Sequence, residues 1–196
     1  MHIYNPIPES SMKQNRLFIL SILLLIVAKQ AAIVHLDLTD ALYLDADRIA
    51  ALLFFLTVYH MTFKGSFDVK LYAMLVGSAL AVSALGAWLG VSFWLMLILF
   101  LLTAFVEEIL LRGVLFELLL RKFSPLAVLL SSSLFFTLIH PAVYKNALYG
   151  VAVLATGLVL GGIYLHFRER GRERAVVCAT MGHGLIILLG LKIGLI

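Results

Sequence analysis

Residues 93–120 read FWLMLILFLLTAFVEEILLRGVLFELLL, a run apolar enough to cross a bilayer that nevertheless carries Glu107, Glu108 and Arg112 in its middle. A helix crossing a hydrocarbon core of about 30 Å needs roughly 20 mostly apolar residues, and this run exceeds that. Working outward, comparable stretches occupy residues 17–34, 50–63, 71–91, 126–144, 147–167 and 175–195. The second is short unless it begins near Ala41, which would draw Asp45, Asp47 and Arg48 into the interface. The expected fold is therefore all-α, a polytopic transmembrane bundle of about seven spans.

Composition supports this. The 196 residues are 63% hydrophobic and 13% charged, against about 45–50% and about 25% in ordinary soluble domains. The apolar stretches follow one another too closely to leave a separate soluble domain, so residues 1–196 read as one integral membrane domain. The apolar stretch from Leu17 to Ala28 resembles a signal peptide with small residues at Ala31 and Ala32. Lys29 and Gln30 interrupt the cleavage region, which favours an uncleaved signal anchor. Cys178 is the single cysteine, so no intrachain disulfide can form.

The formal charge of +4 comes from short basic clusters between spans, and no nucleic-acid motif is present. Cytoplasmic loops concentrate Lys and Arg. An N-terminus inside places Lys13, Arg16, Lys64, Lys70, Arg121, Lys122 and the arginines of 168–174 on the cytoplasmic face. Asp37, Asp40, Asp45 and Asp47 then lie outside, with Arg48, Lys145 and Lys192.

Charged groups at membrane depth are costly and face a bundle interior or a wet cavity, which makes them functional candidates. Besides Glu107, Glu108 and Arg112, these are His140 in FFTLIHP and His183 in MGHGL. Glu108 and Arg112 are four apart and share a helix face. Glu107 is rotated by about 100° from Glu108, which predicts two roles: one carboxylate held by Arg112, the other available for chemistry. Phe136 lies one turn before His140. With the cytoplasmic edge near Arg112, Glu107 would sit about 7.5 Å inside it and His183, counted from Ala175, about 12 Å. Lys29 reads as a snorkelling residue, His35, His60 and His166 sit near span ends, and Gly157, Gly161 and Gly162 have the small-xxx-small spacing of close helix packing.

These motifs resemble the CPBP family of glutamate-type intramembrane proteases, also called the Abi or CAAX-protease-like family. EExxxR is matched by Glu107, Glu108 and Arg112, and FxxxH by Phe136 and His140. The third motif, a His followed four residues later by Asn or Asp, is matched by His183 but has Ile187 at the later position. The resemblance covers about residues 93–189. It implies an intramembrane endopeptidase acting on a membrane-associated protein or peptide, with neither metal nor cofactor.

In that reading Glu107 activates water with the aid of His140, Glu108 and Arg112 form a supporting ion pair, and His183 stabilises the oxyanion. Phe136 contacts substrate, and Thr180 is the nearest substitute for the missing polar residue. A Glu with two His could also hold zinc, but no HExxH helix is present. The small chain points to a bacterial or archaeal plasma membrane. Two other readings use the same residues. One is a non-catalytic peptide-binding or bacteriocin-immunity protein, favoured by Ile187. The other is a proton-coupled transporter, for which an inverted repeat is missing.

Overall fold

A computed structural model describes residues 35–39, 42–45 and 69–195. The expected spans at 17–34 and 50–63, and the signal-anchor reading with them, lie outside the described residues. His35–Thr39 (β1) and Leu42–Asp45 (β2) form a two-stranded antiparallel ribbon, pairing His35 with Asp45 and Thr39 with Leu42. Apart from this ribbon the described chain is helical, as expected of an all-α bundle; Leu42–Asp45 is a strand, so it is not the start of a second span.

The rest is helical: α1 is Val69–Trp88, α2 Phe93–Leu120, α3 Pro125–Leu138, α4 Ala147–Arg168 and α5 Arg172–Lys192. Local chemistry sets the starts. Ser92, Ser124 and Asn146 accept hydrogen bonds from the backbone N–H groups of Leu95, Ala127 and Tyr149, capping α2, α3 and α4. Pro125 occupies the first turn of α3, where its missing N–H costs nothing. Gly171, at φ 125°, turns the chain between α4 and α5.

Four of these helices, α1, α2, α4 and α5, are long and apolar enough to cross a membrane. The expected span at 126–144 is shorter than the sequence suggested. Its helix has 14 residues and ends at Leu138, which at 1.5 Å per residue reaches about 21 Å. Pro141 is the cause, because a residue before proline is driven out of the α region. His140 accordingly adopts φ −97°, ψ 106°, and Pro141–Tyr144 form a 3₁₀ turn. Large apolar side chains, among them Val76, Trp94, Leu130, Val151 and Leu189, face outward on every described helix, as lipid requires and water does not favour.

α2 and α5 form the centre, each 56% buried in its most apolar stretch against 28% for α1 and α4. α5 packs against α1, α2 and α4, and α3 closes the side between α2 and α4. Near the α2 C-terminus, buried Glu117 accepts hydrogen bonds from Arg168 Nε at 2.5 Å, Arg168 Nη2 at 3.1 Å and Tyr164 Oη at 2.9 Å. This ties the ends of α2 and α4 together and gathers Arg121, Lys122 and the arginines of 168–174 at one end of the bundle. At the other end Lys192 Nζ donates to Leu89 O at 2.6 Å.

The glycines of α4 divide. A Cβ on Gly157 would lie 3.0 Å from Ser133 Cα, and one on Gly161 2.5 Å from Leu129 Cδ1, whereas one on Gly162 meets nothing within 4 Å. Close packing thus explains Gly157 and Gly161 but not Gly162. Gly157→Ala, facing backbone that cannot yield, is expected to cost about 1–3 kcal/mol. Gly162→Ala is expected to be neutral or to stabilise by up to about 1 kcal/mol through helix propensity. Unfolding in mixed micelles checks both, and equal losses at the two positions would refute the packing argument.

Candidate active site

α2 is not a uniform α-helix. Leu99–Ala104 and Ile109–Phe116 are π-helical and bracket the single α turn Phe105–Glu108 that carries both glutamates. Interruptions of this kind concentrate at functional sites. The turn lies in the most enclosed part of the bundle: Glu107 is 1% exposed, and Glu108 and Arg112 are 0% exposed.

Three other helices bring residues to this level by the same count. Phe136 is eleven residues from the α3 start at Pro125, His183 eleven from the α5 start at Arg172, and Gly157 eleven from the α4 end at Arg168. That is about 16 Å from the basic end of the bundle. Arg112 is buried and α2 continues to Leu120, so the site lies well inside the bundle, away from its basic end.

The neighbouring glutamates point to different partners. Glu108 Oε1 accepts hydrogen bonds from Arg112 Nη1 at 3.2 Å and from His183 Nδ1 at 3.0 Å. Arg112 Nη2 also donates to the Gly157 carbonyl at 3.3 Å, so one guanidinium joins α2 to α4 while Glu108 joins α2 to α5. Among the described residues, Glu108 Oε2 and Arg112 Nε have no hydrogen-bond partner. Glu107 Oε2 instead faces His140 Nε2 at 4.0 Å. His140 is the most accessible member, its side chain 17% exposed.

His140 is oriented by its own chain. Its Nδ1 lies 2.6 Å from Phe136 O, and since a carbonyl only accepts, Nδ1 carries the proton and the Nε2 of a neutral ring presents a lone pair to Glu107. The sequence expectation of one helical turn between Phe136 and His140 is replaced by a helix end that folds the imidazole back. The rings still meet edge-on at 4.6 Å. Phe136 also lies 5.8 Å from the His183 ring and 4.9 Å beneath the Arg112 guanidinium. At 1% exposure the ring separates and orients three polar groups and offers no open surface to a substrate.

Two further positions bear on the missing polar residue of the third motif. Ile187 packs in the main apolar core, 8% exposed. Thr180, one turn before His183, donates its hydroxyl to Val176 O at 2.8 Å on its own helix, so it does not supply the donor expected of it. Tyr149, which the sequence reading passed over, packs against the cluster of Leu111, Phe136, Ile139 and Val153. Among the described residues no group of three or more His, Cys, Asp or Glu side chains is placed to hold a metal ion.

Comparison with protein families matches residues 88–189, just over half of the chain, to the model described as Type II CAAX prenyl endopeptidase Rce1-like. No curated protein and no solved structure matches the chain.

Proposed function

The chain belongs to the type II CAAX prenyl endopeptidase Rce1-like family, a family of membrane peptidases, and we propose that it hydrolyses a membrane-associated peptide with a water held between Glu107 and His140. The 4.0 Å separation of Glu107 Oε2 and His140 Nε2 carries this reading. It exceeds a direct hydrogen bond and suits a water that donates one proton to each acceptor. Both protons are then engaged, leaving the water's lone pairs to attack.

The water oxygen adds to the scissile carbonyl carbon as Glu107 takes its proton. The tetrahedral intermediate collapses with cleavage of the C–N bond, and the same proton passes to the leaving amine. His183 has its Nδ1 proton on Glu108, and as an imidazolium it directs Nε2–H at the oxyanion. Its charge with that of Arg112 balances the two glutamates. Glu108 and Arg112 orient His183 and stay out of proton transfer.

The substrate has an apolar part seated in the membrane. A furrow of about 430 Å³ runs between Leu115 and Leu119 of α2, Phe123 of the turn that follows, and Ala127, Ser131 and Phe135 of α3. Leu115 and Phe135 at its inner end pack against the cluster that contains Phe136. With the basic end cytoplasmic, this furrow descends from the cytoplasmic face towards a scissile bond near mid-bilayer.

The deciding experiment is cleavage of a membrane-peptide library by purified protein in nanodiscs, with and without exhaustive chelation. Wild type is expected to cut in both conditions, and His140→Ala to be slower by about 10²–10⁴-fold at equal folded yield. Ile187, apolar where the motif has a polar residue, favours one rival, a peptide-binding protein of the same fold. Peptides retained but never cut by wild type would establish that rival instead.

A further inference from the structure

Oxyanions of acyl transfer are stabilised by aimed hydrogen-bond donors, and the polar residue of the third motif is replaced here by Ile187. Ile187 has no donor, and the Thr180 hydroxyl is committed to Val176 O. Tyr149 lies in the first turn of α4, half-buried, against the cluster of Leu111, Phe136, Ile139 and Val153. It therefore borders the cluster whose Phe136 ring meets His140 and His183. It is also near enough to Glu107 for the carboxylate charge to act on its phenol.

Its backbone is fixed while its hydroxyl is available. Tyr149 N donates to the α4 cap, Asn146 Oδ1, at 3.2 Å, and Gly150 beside it has the Val143 side chain of the 3₁₀ turn 3.6 Å from where a Cβ would stand. The same turn follows His140, so the start of α4 packs against the segment that carries the imidazole. Among the described residues the Tyr149 hydroxyl has no hydrogen-bond partner. A phenol is neutral at pH 7 and donates without disturbing a site whose two carboxylates are balanced by Arg112 and His183.

We propose that Tyr149 is a catalytic residue of this chain, its hydroxyl donating to the oxyanion alongside His183 in place of the polar side chain that Ile187 displaces. This rests on the peptidase reading. Attack by water converts the scissile carbonyl oxygen to an alkoxide. Tyr149 O–H shortens its hydrogen bond to that oxygen, keeps its proton, and releases the oxygen when the carbonyl re-forms.

The test is steady-state cleavage by the full chain in nanodiscs, using a peptide that wild type cuts, for Tyr149→Phe, Ile187→Asn and the double variant, with melting temperatures alongside. Tyr149→Phe keeps the ring and its packing and is expected to melt as wild type does. Its kcat falls about 10²–10³-fold, the range for losing one oxyanion donor, with KM nearly unchanged. Ile187→Asn, one turn beyond His183, restores part of that loss in the double variant. Wild-type kcat in Tyr149→Phe, or a raised KM with kcat unchanged, overturns the proposal while the peptidase reading stands. Absence of any cleavage by wild type overturns both.

Discussion

Glu107→Gln is expected to abolish peptide hydrolysis, with kcat down by about 10²–10⁴-fold, and to leave a protein at least as stable as wild type. The two halves of that result have one cause. Glu107 is 1% exposed inside an apolar helix bundle, and an ionised carboxylate there is held against a solvation cost of several kcal/mol. The amide has the same shape without the charge, so the fold is relieved of that cost while the water loses its base. Glu108→Gln should behave differently, because Glu108 accepts from both Arg112 and His183. Its amide weakens two contacts between helices and leaves Arg112 a buried cation, so stability falls together with rate. Activity and unfolding in mixed micelles, measured on the same preparations, separate the glutamates. Equal behaviour of the two variants would refute the division of roles.

Arg112→Met is expected to be the most destabilising single substitution in the site, at about 3–5 kcal/mol, because removing one partner of a buried pair strands the other. Arg112 is fully buried, donates to Glu108 Oε1 and to Gly157 O, and stacks over Phe136. Its loss therefore affects α2, α3 and α4 together. Glu108→Gln combined with Arg112→Met removes the stranded charge and should recover much of the stability without recovering catalysis. A double variant no more stable than Arg112→Met would show that the cost is lost packing rather than an unpaired carboxylate.

Much of this was legible in the sequence because membrane burial makes charge conspicuous. Glu107, Glu108, Arg112, His140 and His183 stand out from apolar runs. The i, i+4 spacing correctly paired Glu108 with Arg112, and a rotation of 100° was enough to send Glu107 elsewhere. What composition could not supply was register. The π stretches of α2 have no residue signature, and a depth counted from Arg112 took as its origin a residue that is buried eight positions before the helix ends at Leu120. The Pro after His140 did signal the end of α3 but was outweighed by the apolar run.

Hydrogen-bond commitments were equally invisible. Thr180 was the right residue type in the right turn, and its hydroxyl was already used by Val176. Tyr149 has no signal in the sequence that sets it apart, because a tyrosine near a span end ordinarily marks the interface. The ribbon strands do show alternation in HLDLT, but the sequence between them, Asp40-Ala41, lacks the Asn-Gly type of signal that marks a hairpin.

The π turns on either side of Phe105–Glu108 also bear on how this helix tolerates insertions and deletions. Deleting one residue from an ordinary span rotates everything beyond it by about 100° and would swing a reactive side chain into lipid. A π turn holds one residue more than an α turn, so a deletion within 99–104 or 109–116 can be absorbed locally by tightening to α geometry. The two carboxylates then keep their aim, and the turns beyond the deletion keep the faces they present to α3, α4 and α5.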